Sequence, residues 1–275
     1  MDVSDSVLDH LRQVTALPDL TGTRYELEAE IGRGGMGIVY AARDRELNRR
    51  VALKVFDVPI SGEPQLIARL EHPGIVPIFE TGTLADGRSF YAMKLVSGVR
   101  LDRHASTDHT LSERLRVIRR IAEPLAFAHS RGIIHRDLKP QNIMVGEFGE
   151  VYLMDWGVDA VKGTAGFSAP DTTLDQLSDI YSLGAVLRFL LPNPAPPALT
   201  AIAEKAANPN AHQRYPAVSA FLADIDRFEQ GLAVEAWSEP LWHRLHRFAS
   251  RNAVLLWLLA AYTLVKFLLF FLRKF

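Results

Sequence analysis

The chain contains no cysteine among its 275 residues. That excludes disulfides, thiol nucleophiles and cysteine-ligated zinc, and it fits a reducing compartment. An excess of one charge is missing too. The formal net charge is −1, so there is no electrostatic footprint for nucleic acid, and no nucleic-acid partner is expected. The opening residues, MDVSDSVLDHLRQV, lack the apolar run of a secretory signal. No internal repeat is present. What the chain does have is apolar content: 48% of its residues, ample for a sizeable core in one large domain or two lobes.

Residues 1–22 form a polar leader, with Val7, Leu8, Leu11 and Val14 at the spacing of a short amphipathic helix. From Tyr25 to Ile31 apolar and acidic residues alternate as in a strand. The strand runs into Gly32-Arg33-Gly34-Gly35-Met36-Gly37-Ile38-Val39, a GxGxxGxV pattern. Glycine lets backbone approach phosphate oxygens closely. The rival reading is a dinucleotide fingerprint, which needs the glycines to open a helix, whereas Ile38-Val39-Tyr40 continues as strand. Val51-Ala52-Leu53-Lys54-Val55-Phe56 is an apolar strand interrupted by one lysine. Ile75 to Phe79 and Phe90 to Met93 read as further strands, with Asp86-Gly87 as a turn between them. Leu111 to Arg131 has helical periodicity, with Leu115, Ile118, Ile121, Leu125 and Ala128 on one face. A short hairpin, 143–145 and 151–154, follows.

Between that helix and that hairpin lies His135-Arg136-Asp137-Leu138-Lys139-Pro140-Gln141-Asn142. HRDLKPQN resembles the catalytic loop of eukaryotic-like Ser/Thr protein kinases, here in a compact, bacterial-type form. The glycine pattern, the VALK strand and Asp155-Trp156-Gly157, standing where the family has DFG, fall in the family's order. The resemblance covers about residues 24–230. It implies an α+β, two-lobed protein-kinase-like fold: domain 23–231, with a β-rich small lobe 23–95 and a helical large lobe 96–231.

The resemblance also implies roles. Asp137 accepts the proton of the attacking hydroxyl, and Lys139 accompanies it. Asn142 and Asp155 hold Mg2+. Lys54 contacts the α- and β-phosphates of ATP, and a glutamate pairs with Lys54. Ile31, Gly32, Gly34, Gly37 and Val39 cover the nucleotide, Ala52 caps the adenine, and Met144 lies beneath it. Met93 gates the back of the pocket. The hinge Lys94-Leu95-Val96 offers the Lys94 carbonyl and the Val96 N–H to the adenine edge. Reading back from Arg69-Leu70-Glu71-His72-Pro73 places the glutamate at Glu63. Pro64 follows at once and suits a first helical turn. The helix is therefore truncated, and a cap or surface role is the alternative for Glu63.

Gly163-Thr164-Ala165-Gly166-Phe167-Ser168-Ala169-Pro170-Asp171 resembles the family's GTxGYxAPE, with Asp171 expected to pair with Arg214. Asp179 is expected to steady the catalytic loop. Val158 to Lys162 carry no hydroxyl, so activity independent of phosphate in the activation segment is expected. A proline-rich connector, 190–197, stands where a longer docking region is usual.

The tail changes character. Segment 232–252 mixes Trp237, Trp242, Leu241, Leu245 and Phe248 with basic residues, a composition that suits a membrane interface. Residues 253–272 carry one charge, Lys266. At about 1.5 Å per residue they reach roughly 30 Å, the thickness of the hydrocarbon core. A transmembrane helix is expected there, with a buried or interfacial helix as the alternative. The expectation is thus a single-pass membrane protein, its kinase domain on the cytoplasmic side where ATP is. The substrate would be protein hydroxyls, with ATP and Mg2+ as cofactors. The competing function is a membrane-tethered pseudokinase, a nucleotide-binding scaffold; a small-molecule kinase on the same fold is a third.

Overall fold

The computed structural model describes residues 17–34, 37–56, 67–105, 109–156, 166–171, 175–240, 249 and 252–272. Glu63 lies outside this set, and so do Gly157 and the residues 158–165 that follow it, Thr164 among them. So do the expected leader helix and the residues on which the phosphate-independence argument rests.

The small lobe is built on an antiparallel sheet. Its strands are β1 (Tyr25–Gly34), β2 (Gly37–Asp44), β3 (Arg49–Phe56), β4 (Ile78–Thr83) and β5 (Ser89–Lys94), in the order β1-β2-β3-β5-β4. β3 is central and is buried from Val51 to Phe56, which explains a run that is apolar on both faces, broken only by Lys54, better than alternation would. Tyr25, Ile38, Tyr40, Val51, Leu53, Val55 and Phe90 pack into this lobe's core. Because Gly37–Asp44 is a strand, the dinucleotide reading, which needs a helix there, is excluded.

The expected strand 75–79 is displaced. Ile75 makes only an isolated bridge to Leu153, and the ladder with β5 begins at Ile78. Pro77 lies between the two and has no N–H to offer a ladder. The Asp86-Gly87 turn forms as read: Gly87 has φ +86°, and Asp86 Oδ1 accepts from the Arg88 N–H at 3.0 Å.

Two short elements were not anticipated, β6 (Gly98–Arg100) and α1 (Leu101–His104). β6 pairs with β7 (Ile143–Gly146), and β7 with β8 (Val151–Leu153), in a three-stranded sheet.

The large lobe is helical. α2 (Leu111–Ser130) starts on a capping box. Thr110 Oγ1 accepts from the Glu113 N–H at 3.3 Å, and the Glu113 carboxylate accepts from the Thr110 N–H at 2.8 Å. Its face of Leu115, Ile118, Ile121, Leu125 and Ala128 is buried as the periodicity required. α3 (Gln176–Leu190) is capped by Asp175, which accepts from the N–H groups of Leu177 and Ser178. α4 (Pro197–Ala206) crosses α3 closely at Gly184, where a Cβ would stand 2.6 Å from that of Ala206. α5 (Val218–Glu229) closes the core with Phe221 and Ile225.

The C-terminal helix α6 runs from Ala253 to Leu272. Its described side chains are exposed, apolar ones included. Among the described residues no helix is long and apolar enough to cross a membrane. The transmembrane helix expected over 253–272 is therefore not established by the fold.

Candidate active site

The two lobes meet around a cleft of about 810 Å³. Ile31, Gly32, Gly34, Gly37 and Val39 line it from the β1–β2 hairpin, and Ala52 and Lys54 from β3. Met93, Lys94 and Val96 line it from the hinge, and Met144 from β7. Asp137, Lys139, Asn142 and Asp155 line it as well. Every site residue read from the sequence therefore reaches one cavity, except Glu63, which lies outside the described residues.

Strand register accounts for the upper wall. Val39 stands opposite Lys54, Ala41 opposite Ala52, and Ala52 opposite Met93. Gly37, at φ +149°, lies so close to β3 that a Cβ would meet the Val55 carbonyl oxygen at 2.1 Å. Only glycine permits that approach. The lower wall comes from Met144, opposite Tyr152 on β8.

Lys54 is 7% exposed. Its Nζ lies 2.9 Å from Asp155 Oδ1 and over the rings of Phe56 and Tyr91. A buried ammonium requires a partner, and among the described residues the carboxylate of the DFG-like motif supplies one. Asp155 has φ +53°, an unfavourable conformation for a non-glycine residue. Trp156 is 1% exposed and packs against His135 at 4.6 Å between centroids, with the rings tilted by 36°. Full burial pushes the His135 imidazole below its ordinary range, so the ring is neutral.

The catalytic loop is held by one carboxylate. Asp179, fully buried on α3, accepts from the N–H of His135 at 2.7 Å and of Arg136 at 2.8 Å, and lies 2.8 Å from His129 Nε2. Arg136 thereby stays at φ +67°. The next residue, Asp137, receives Lys139 Nζ at 2.7 Å and Asn142 Nδ2 at 2.9 Å on the same oxygen, Oδ2. Asn142 Nδ2 also donates to the Asp137 carbonyl. That uses the amide nitrogen of Asn142 and leaves its oxygen to a cation.

Among the described residues no cluster of three or more His, Asp or Glu forms a metal cage. Magnesium binds through one or two protein oxygens plus substrate phosphates. The carboxylate of Asp155 and the amide oxygen of Asn142, lining one cavity with Lys54, are a donor set that fits it.

Asp171 pairs with Arg214 as read, through two bonds of 2.6 and 3.0 Å, with the guanidinium side chain fully buried. Arg214 also donates to the carbonyls of Leu177, Asn208 and Pro209. Val76, Gln141 and Met154 line the cleft without having been singled out. Nothing in their chemistry marked them, since Val76 and Met154 are ordinary strand-like apolar residues. Arg33, Arg100 and Arg103 stand at the same cavity. They too were not read from the sequence.

A glycine hairpin over a strand lysine, facing a loop aspartate, an asparagine and a second aspartate across a two-lobed cleft, defines the protein-kinase class of fold. The model of the family "Protein kinase domain" matches residues 25–218, the greater part of the chain, and the chain belongs to that family. It is 32% identical over 281 residues to the serine/threonine-protein kinase PknB of Mycolicibacterium smegmatis, covering 80% of this chain and 45% of that protein. PknB of Mycobacterium tuberculosis strain H37Rv matches at the same identity and coverage. The serine/threonine-protein kinase PknD of Chlamydia muridarum is 31% identical over 230 residues, covering 61% of this chain and 24% of that protein. The chain thus spans less than half the length of these relatives. A solved structure titled "PpkA-294 apo form" superposes with a TM-score of 0.66 at 22% identity, over 76% of this chain and 99% of that one, a likeness of fold.

Proposed function

We propose that the protein is a Mg-ATP-dependent Ser/Thr protein kinase that transfers the γ-phosphate of ATP to hydroxyls of a protein substrate. The observation that carries this reading is the convergence of Lys54, Asp137, Lys139, Asn142 and Asp155 on one cleft. Phosphoryl transfer needs little covalent chemistry from the protein; positioned charge does most of the work. Lys54 orients the α- and β-phosphates. Asp137 accepts the hydroxyl proton, with Lys139 beside it to neutralise charge. Asn142 and Asp155 would hold magnesium, which when bound would neutralise charge on the phosphates. The hinge backbone at Lys94 and Val96 receives the adenine edge.

The test is incubation of purified protein with labelled ATP, Mg2+ and a generic basic protein. Lys54→Ala, Asp137→Asn and Asp155→Asn should each reduce transfer by at least about 100-fold while circular dichroism stays unchanged. Nucleotide binding without transfer by the wild type would establish the pseudokinase instead.

The proposal extends to location. Residues 253–272 anchor the protein in a membrane, with the kinase domain on the cytoplasmic side. Support comes from an apolar helix with a single charge, Lys266, whose described side chains are exposed, and from the aromatic and basic residues before it. Full-length protein should stay in the membrane pellet after an alkaline carbonate wash, and a variant lacking 253–275 should not. Full-length protein in the soluble fraction would refute the anchor.

A further inference from the structure

Side chains tie the two walls of the cleft together at both ends. At the phosphate end the tie is Lys54 to Asp155, 2.9 Å. Both groups serve the bound nucleotide and its metal in the reading above, so this tie is exchanged when ligand enters. At the adenine end the tie is of another kind. Lys94, the last residue of β5, turns its side chain onto β8. Its Nζ donates to the Tyr152 hydroxyl oxygen at 2.5 Å and lies 4.5 Å from the centroid of that ring. The nucleotide needs only backbone groups at the hinge, so this contact remains in place when the cleft is filled.

We propose that Lys94 and Tyr152 form a fixed clamp that sets the width of the adenine slot, making Tyr152 a positioning residue for nucleotide binding. This rests on the reading of the cleft as an ATP site.

The two residues belong to opposite walls. Lys94 follows Met93, which stands opposite Ala52 in the upper wall. Tyr152 stands opposite Met144 in the lower wall. Tyr152 is 8% exposed and packs in one cluster with Ala52, Val76 and Met93, flanked by Met144 and Met154. Its ring therefore cannot follow a moving hinge without disturbing both walls. The Lys94 N–H is itself held by the Pro77 carbonyl at 3.1 Å, so the hinge strand is fixed from behind. A flat base gains most from a slot already held at its thickness, because no ordering remains to be done on binding. The clamp also lies on the strand that delivers Asp155, so the adenine end and the metal end share one support.

The experiment is calorimetric titration of adenosine and of ATP into the wild type, Tyr152→Phe, Lys94→Met and the double variant. Tyr152→Phe keeps the ring and removes the acceptor. Adenosine and ATP should both weaken, by the same factor of about 3–10, the range for one charge-assisted hydrogen bond that is partly solvated. The double variant should bind no more weakly than Lys94→Met, since the pair acts as a unit. In turnover, KM for ATP should rise with kcat within about twofold, the pattern of lost uniform binding. Unchanged adenosine affinity would overturn the clamp, as would weakening of ATP alone or single effects that simply add. A lower melting temperature with unchanged affinities would assign the pair to stability only and overturn it too. Wild-type protein that binds ATP without transferring phosphate refutes the kinase reading and leaves the clamp measurement intact. Failure of the wild type to bind either ligand refutes both.

Discussion

Replacing Asp179 by asparagine should loosen the catalytic loop and slow the chemistry without closing the nucleotide site. The carboxylate is fully buried, and its two oxygens face three groups: the His135 N–H at 2.7 Å, the Arg136 N–H at 2.8 Å and His129 Nε2 at 2.8 Å. An amide of the same shape keeps one acceptor oxygen. In its better orientation the oxygen stays toward His135 and His129, and the NH2 faces the Arg136 N–H, donor against donor. One charge-assisted bond, worth about 1.5–3 kcal/mol net, is lost, and a buried N–H is left unpaired at a similar cost. Allowing for relaxation, about 2–4 kcal/mol of stability goes. For a domain near 200 residues each kcal/mol moves the melting temperature by about 2–4 °C, so a drop of about 4–16 °C is expected. The bond lost is the one that keeps Arg136 at φ +67°, a conformation costing about 1–3 kcal/mol that persists only while its surroundings impose it. Asp137 comes next in the chain. A displacement of about 1 Å at the base can cost about 100-fold in rate, whereas the adenine slot, built from β3, β5 and β7, should keep its affinity. Differential scanning fluorimetry, ATP titration and peptide phosphorylation measure the three quantities. A melting temperature within about 1 °C of wild type together with turnover within twofold would show that Asp179 does not hold the loop.

Two further variants test supports away from the cleft. Arg214→Lys replaces a buried planar fork, bonded twice to Asp171 and to three carbonyls, by a point charge that cannot reach all of them. Urea unfolding should show a loss of about 2–4 kcal/mol, and an unchanged midpoint would refute the assignment. Asp224 is buried, which by itself would raise its carboxyl. Hydrogen bonds from the Glu235 N–H, the Tyr215 hydroxyl, the Ala236 N–H and Arg227 outweigh that and hold it below its ordinary 3.8. A carboxyl depressed in the fold stabilises above its ordinary value, and the contribution is lost as pH falls below it. The melting-temperature gap between wild type and Asp224→Asn should therefore be full at pH 7 and shrink below pH 3.8. A gap that does not change with pH would count against it.

The motifs by themselves determined much of this protein. HRDLKPQN, the glycine hairpin, VALK and the Asp-Trp-Gly triplet are legible because their chemistry demands given residue types at short, fixed spacings. Strand β3 and helix α2 are legible because burial on both faces, or on one stripe, writes itself as a run or a period. The pairing of Asp171 with Arg214 was legible through the family pattern, across a long sequence separation. Other features were decided only when the chain folded. Pro77 moved the start of β4, because Ile75 found its partner on β8 instead. β6 has three exposed residues and no periodicity that would announce a strand; it exists because the edge of β7 accepts it. The contact of Lys94 with Tyr152 left no trace in the sequence, since a lysine at a strand end and a tyrosine in a strand are each unexceptional. Val76 and Met154 became cleft residues for the same reason. Local chemistry is fixed by neighbours along the chain, whereas the walls of the cleft are fixed by which strand edges and lobes come to lie against one another.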